Sequence, residues 1–107
     1  MAERQFKIKV GTLRRVKKDL EYYVKEHAAQ AQRIEKLRTE GRDEYDVRKQ
    51  EEVLVETEMM LPDCQTRLHE AAQDLEAFIA GHRAEVEALE SFPEAQALLA
   101  AVAQTTR

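Results

Sequence analysis

The chain has 107 residues, 36% of them charged and only 6% aromatic, with three glycines, two prolines, no tryptophan and a formal net charge of −4. So few breakers with so much charge describe long helices rather than an aromatic core, and no window approaches the roughly 20 apolar residues of a membrane helix. The single cysteine excludes a disulfide within the chain, and the charged first ten residues lack a signal peptide's apolar core, so a reducing, cytoplasmic setting is expected.

The first helix is expected over about residues 6–38. Phe6, Leu13, Leu20, His27 and Ile34 recur every seven residues, and Val16, Tyr23, Gln30 and Leu37 form a companion row three residues later. This is a coiled-coil seam with two polar interruptions, His27 and Gln30. Gly11 lies within it and costs about 1 kcal/mol against alanine, so fraying of the first turns is expected. His27 reads as a register-setting seam residue, since no second ligand lies one turn away. Residues 1–18 hold seven bases (Arg4, Lys7, Lys9, Arg14, Arg15, Lys17 and Lys18) against one acid, Glu3. They form either a solvated face or a surface that attracts an acidic partner.

Thr39-Glu40-Gly41-Arg42-Asp43 reads as a turn. Gly41 fits the left-handed position just past a helix end, and Asp43 fits an N-cap. So short a link implies antiparallel neighbours. The second helix is expected over about 44–89. Val47, Leu54, Leu61, Leu68, Leu75, His82 and Leu89 recur every seven residues, accompanied by Gln50, Thr57, Cys64, Ala71 and Phe78. The phase passes through Pro62 without a slip, so Pro62 reads as a kink that opens the carbonyl of Glu58.

The second reversal is expected at Gly81 or near Ser91, with the second preferred. Ser91 and Glu94 have capping-box spacing, and Pro93 fits a first helical turn. The last helix is then expected over about 92–104, with Ala95, Leu98, Leu99 and Val102 inward and Thr105 to Arg107 loose. Residues 70–94 hold seven acids against one arginine or lysine, Arg83. The expected fold is all-α: an elongated antiparallel three-helix bundle with coiled-coil-like packing, forming a single rod-like domain over residues 1–107.

Chemistry is hard to build from these residues. The glycines stand far apart at positions 11, 41 and 81, so no phosphate loop forms. His27, His69 and His82 are scattered, and His69-Glu70 lacks the spacing of a zinc helix motif. Cys64 falls on the seam, where it acts as a small hydrophobe. No catalytic, metal or cofactor site is expected. Nucleic acid is not an expected partner of an acidic chain, and charges all around the first helix argue against a membrane surface.

Gln5-Phe6-Lys7-Ile8-Lys9-Val10-Gly11, Tyr45-Asp46, Lys49-Gln50 and Met59-Met60-Leu61-Pro62-Asp63-Cys64-Gln65 with Arg67-Leu68 closely resemble the tubulin-specific chaperone A, or tubulin-folding cofactor A, family. The resemblance covers about residues 5–80 in order and spacing and is looser from Gly81 onward. It implies a small helical cytosolic chaperone, associated with the cytoskeleton. Such a protein binds β-tubulin after the chaperonin and hands it, with other tubulin-folding cofactors, toward the αβ heterodimer without nucleotide or covalent chemistry. The candidate tubulin-binding residues are Lys7, Lys9, Arg14, Arg15, Lys17, Lys18, Lys49, Met59, Met60, Asp63, Gln65 and Arg67. The cations would steer the acidic client, and the methionines would offer adaptable apolar contact beside Pro62. The alternative from the residues alone is a coiled-coil scaffold or oligomerisation module. Monomer and homodimer both remain open, the latter through Val24, Val53 or Val86.

Overall fold

The computed structural model describes residues 1–105 and consists of three helices: α1 (Ala2–Thr39), α2 (Glu44–Val86) and α3 (Phe92–Thr105). The helices α1 and α2 pack antiparallel along most of their lengths, and the molecule measures 63 × 24 × 18 Å. The expected class, elongation and helix order are all present.

The α1–α2 connection follows from local chemistry. Gly41 takes φ 70°, a left-handed conformation that costs a residue with a Cβ about 1–2 kcal/mol. Its N–H donates to the carbonyl of Arg38, and the Arg42 N–H donates to that of Leu37, closing two orphan carbonyls of α1. The Asp43 carboxylate then accepts from the Tyr45 N–H at 3.2 Å and caps α2. Gly41→Ala is expected to lower stability by about 1 kcal/mol, read as a lower urea midpoint at unchanged slope.

The seam residues lie inward. Phe6, Leu13 and Ile34 on α1, and Val47, Cys64, Leu68, Leu75 and Phe78 on α2, are buried. Gln30 is the buried polar residue among those described. Its Nε2 donates to the side-chain oxygen of Gln50 at 2.6 Å and to the Gln50 carbonyl at 3.2 Å. Two polar residues that interrupt the two heptad rows therefore meet each other, which fixes the register of the two-helix end. His27 lies half-buried, with Nε2 3.0 Å from a Glu58 carboxylate oxygen.

Three details differ from expectation. First, α1 starts at Ala2 rather than residue 6: Ala2, Phe6 and Val10 pack into the core, and that packing outweighs the cost of Gly11. Second, the one residue of α2 with non-helical dihedrals is His82 (φ −135°, ψ 27°), next to Gly81. The His82 ring stacks on Phe78, and its Nδ1 lies 3.1 Å from the Phe78 carbonyl four residues back. Third, α2 ends at Val86, short of Leu89, and the chain reverses over residues 87–91 through the bonds Leu89 N–H to Val86 O and Phe92 N–H to Leu89 O. Gly81 therefore bends the helix without ending it. At the other end α3 includes Thr105, while Thr106 and Arg107 of the segment expected to be loose lie outside the described residues.

The helix α3 folds back over one end of the α1–α2 pair and covers a third apolar row that the two-helix pattern does not account for. Ala72, Ile79 and Val86, again seven residues apart, are buried with Val10 under Phe92, Ala95 and Val102. Val86, an expected dimer contact, is thus fully buried within the chain, while Val24 and Val53 stay exposed. All three phenylalanines of the chain meet here: Phe6 stacks between Phe78 and Phe92 with centroids 6.4 Å apart on each side.

The expected capping box does not form. The buried Ser91 hydroxyl has no hydrogen-bond partner, although the Ser91 carbonyl accepts from the Ala95 N–H at 3.0 Å. The Glu94 carboxylate turns instead to Arg14 on α1.

Candidate protein-binding surface

The twelve candidate residues divide by what already holds them. Four of the six basic ones on α1 are engaged within the molecule. Lys7 pairs with Glu3 at 3.1 Å, one turn earlier. Lys9 donates to Asp74 at 2.7 Å across the α1–α2 seam, and its ammonium lies 5.6 Å from the centroid of the Phe78 ring. Arg14 grips Glu94 with two guanidinium nitrogens, tying α3 to α1, and the bidentate carboxylate raises the arginine's already high pKa. Lys17 donates to Glu21 and holds that carboxyl below the usual range.

Part of the charge asymmetry between the chain's ends is therefore internal complementarity. The antiparallel fold brings Lys9 and Arg14, from the basic end, onto Asp74 and Glu94, from the acidic end. Sequence reasoning missed this role because it depends on where α3 lands. The equal and opposite runs at residues 1–18 and 70–94 were the available signal. Arg15 and Lys18 have no carboxylate at ion-pair distance among the described residues and face solvent.

On α2, Lys49 lies over the Tyr45 ring at 5.6 Å, and Arg67 pairs with Asp63 at 3.0 Å, one turn apart. Gln65 is exposed. Met59 and Met60 are 72% and 44% exposed, so neither fills the seam, and Val53 and Val55 extend the exposed apolar area one to two turns earlier. The candidates on α1 thus lie in its N-terminal half, where Lys9 reaches across to α2, and those on α2 gather around Pro62 apart from Lys49, which lies nearer the turn.

Cys64 is buried at 5% exposure, and loss of solvent pushes its thiol pKa up. A buried neutral thiol is a poor nucleophile. Alkylation of Cys64 by iodoacetamide is expected to run about tenfold slower in the native protein than in urea. Equal rates would contradict the burial. No group of three or more His, Cys, Asp or Glu side chains able to hold a metal occurs among the described residues, and no described helix is long and apolar enough to cross a membrane.

Comparison with known proteins adds to this geometry. Residues 1–99 match the model of the family described as tubulin binding cofactor A. The chain is similar to tubulin-specific chaperone A of Homo sapiens, 41% identical over 99 residues that cover 92% of this chain and 91% of that protein. Its fold is similar to the crystal structure of tubulin folding cofactor A from Arabidopsis thaliana, with TM-score 0.86, 34% identity and 96% of each chain covered. It is also similar to the structure of a β-tubulin-binding post-chaperonin cofactor, with TM-score 0.80, 31% identity, and 94% of this chain and 96% of that one covered.

Proposed function

The chain belongs to the tubulin binding cofactor A family, and from that premise we propose that it captures β-tubulin released from the chaperonin and holds it for assembly into the αβ heterodimer. It is a tubulin-folding chaperone and not an enzyme. The observation that carries this reading is the likeness over nearly the whole chain to proteins of that function, including a structure of the same rod from a β-tubulin-binding cofactor.

The physical form suits the task. A rod 63 Å long presents large lateral surface for its mass and can hold a partner without enclosing it. Exposed methionines adapt to an incompletely packed client, and exposed cations draw an acidic one. Release on this reading needs only competition by the next partner. On this reading the protein works in the cytoplasm in association with the cytoskeleton. Other tubulin-folding cofactors receive its client, and it acts as a monomer or homodimer.

The test follows newly made β-tubulin leaving the chaperonin on a native gel, with and without the purified chain. The expected result is a discrete complex that runs ahead of the chaperonin band and forms without added nucleotide. Aggregation of β-tubulin to the same extent with and without the chain would sink the proposal.

A further inference from the structure

The outer face of α1 carries a second seven-residue pattern, opposite the seam that packs on α2. Met1, Ile8, Arg15 and Tyr22 recur every seven residues, and Arg4, Gly11, Lys18 and Lys25 follow them at an offset of three. Helical spacing puts both rows on one stripe, about 36 Å long, pointing away from the Phe6–Leu13–Leu20 seam. Ile8 and Tyr22 are each 59% exposed, and Tyr22 is held edge-on against Tyr23 at 5.5 Å. Between them Gly11 leaves an open dent whose lining includes Ile8, Thr12, Arg15, Lys18 and one acid, Asp19, and a Cβ built on Gly11 would meet nothing within 4 Å.

The charges on this stripe differ from their neighbours. Lys7, Lys9, Arg14 and Lys17, which flank it or lie toward the core, each hold a carboxylate within the chain. Arg4, Arg15, Lys18 and Lys25, on the stripe itself, have none at ion-pair distance among the described residues. Like charges three or four residues apart, as at Arg15 and Lys18, cost a helix a few tenths of a kcal/mol. Glu21 offsets part of that cost, since Lys18 and Lys25 act on its carboxylate from beyond ion-pair distance, and carboxylates from outside would add to it.

We propose that this face is a docking seam for an acidic amphipathic helix of the captured β-tubulin. The apolar ridge of that helix seats on Ile8 and Tyr22 across the Gly11 dent, and its flanking Asp and Glu side chains meet Arg4, Arg15, Lys18 and Lys25. The two-row pattern matches helix-in-groove recognition, in which anchors recur at three- and four-residue steps. The proposal rests on the β-tubulin reading above and names the part of the surface that does the holding.

The test uses the full chain and purified β-tubulin as the probe. Arg15→Glu/Lys18→Glu is expected to weaken capture about tenfold and to flatten its salt dependence, with helicity unchanged because both side chains point outward. Gly11→Leu fills the dent with a better helix former, so it is expected to raise thermal stability while weakening capture several-fold. A control of equal charge change at the far end of the rod, Arg42→Glu/Arg48→Glu, is expected to leave capture within about twofold. If the double variant captures β-tubulin as the wild type does, or is weakened no more than the control, the seam is overturned and the chaperone reading stands. If the wild type itself captures no β-tubulin, both fall. Binding of the wild type to phosphatidylserine vesicles, abolished by Arg15→Glu/Lys18→Glu while β-tubulin capture stays intact, would assign the stripe to a membrane and overturn the proposal.

Discussion

Phe6→Ala is expected to lower the free energy of unfolding by about 4 kcal/mol and the melting temperature by roughly 20 °C. Phe6 is fully buried on α1 and stacks on Phe78 of α2 and Phe92 of α3, so one ring joins all three helices. Its removal deletes a large apolar surface and leaves a void that only partial collapse can fill. The chain holds three phenylalanines and no tryptophan, all three rings lie in this cluster, and none of the three tyrosines is part of it. The change also undercuts α3, which rests on this patch and is tied to α1 through Arg14–Glu94. Val53→Ala, at an exposed site on the two-helix end, is expected to change stability by less than about 0.5 kcal/mol. Circular dichroism melts of the two variants supply the comparison. Similar melting temperatures would mean that the three-ring cluster is not the centre of stability.

Pro62→Ala is expected to act in the opposite direction and to stabilise the protein by about 2 kcal/mol. Pro62 lies well inside α2, where it has no N–H to offer the carbonyl of Glu58. It is exposed, so alanine forfeits no core packing there and restores a helical donor. Urea unfolding reads the effect as a higher midpoint at constant slope. A midpoint that stays put or falls would show that the surrounding helix is already adapted to the proline. The expected gain also bears on function. A residue that costs stability while sitting beside the exposed Met59 and Met60 is placed where it shapes the outer face of α2. Pro62→Ala should therefore be assayed for β-tubulin capture as well as for stability.

Most of the two-helix architecture was legible in the residues because an antiparallel seam writes itself as a seven-residue repeat. The rows through Phe6 and Leu13 and through Leu68 and Leu75 are buried as the repeat requires, and Gln30 meets Gln50 where both interrupt it. The turn was legible because Gly41 and Asp43 each answer a local backbone need. The inward side of α3 was legible, since Ala95 and Val102 are buried and Leu98 and Leu99 pack on the core, but the positions it covers were not. Val10, Ala72, Ile79 and Val86 look like ordinary flanking positions until a third helix lies over them, and no short-range pattern says where a helix after a five-residue reversal will rest.

The same gap explains the site residues. Basic side chains in one run look alike in sequence, yet Arg14 is an internal tie while Arg15 beside it has no ion pair among the described residues, because only one of them points toward Glu94. A reversal of Arg14, Arg15, Lys17 and Lys18 together would therefore mix loss of client attraction with release of α3. The non-helical backbone of α2 at His82 escaped the sequence for a related reason. Heptad phase reports which face a residue occupies and is silent on backbone dihedrals.

The central claim is that this rod recognises β-tubulin through its outer surfaces and needs no chemistry to do so. The most direct measurement is the affinity of the full chain for separately prepared α- and β-tubulin without nucleotide, read beside the mass of each complex. The account predicts a defined complex with β-tubulin and at least about tenfold weaker binding to α-tubulin, a difference of about 1.4 kcal/mol. Equal affinity for the two, or no complex with β-tubulin, would contradict it.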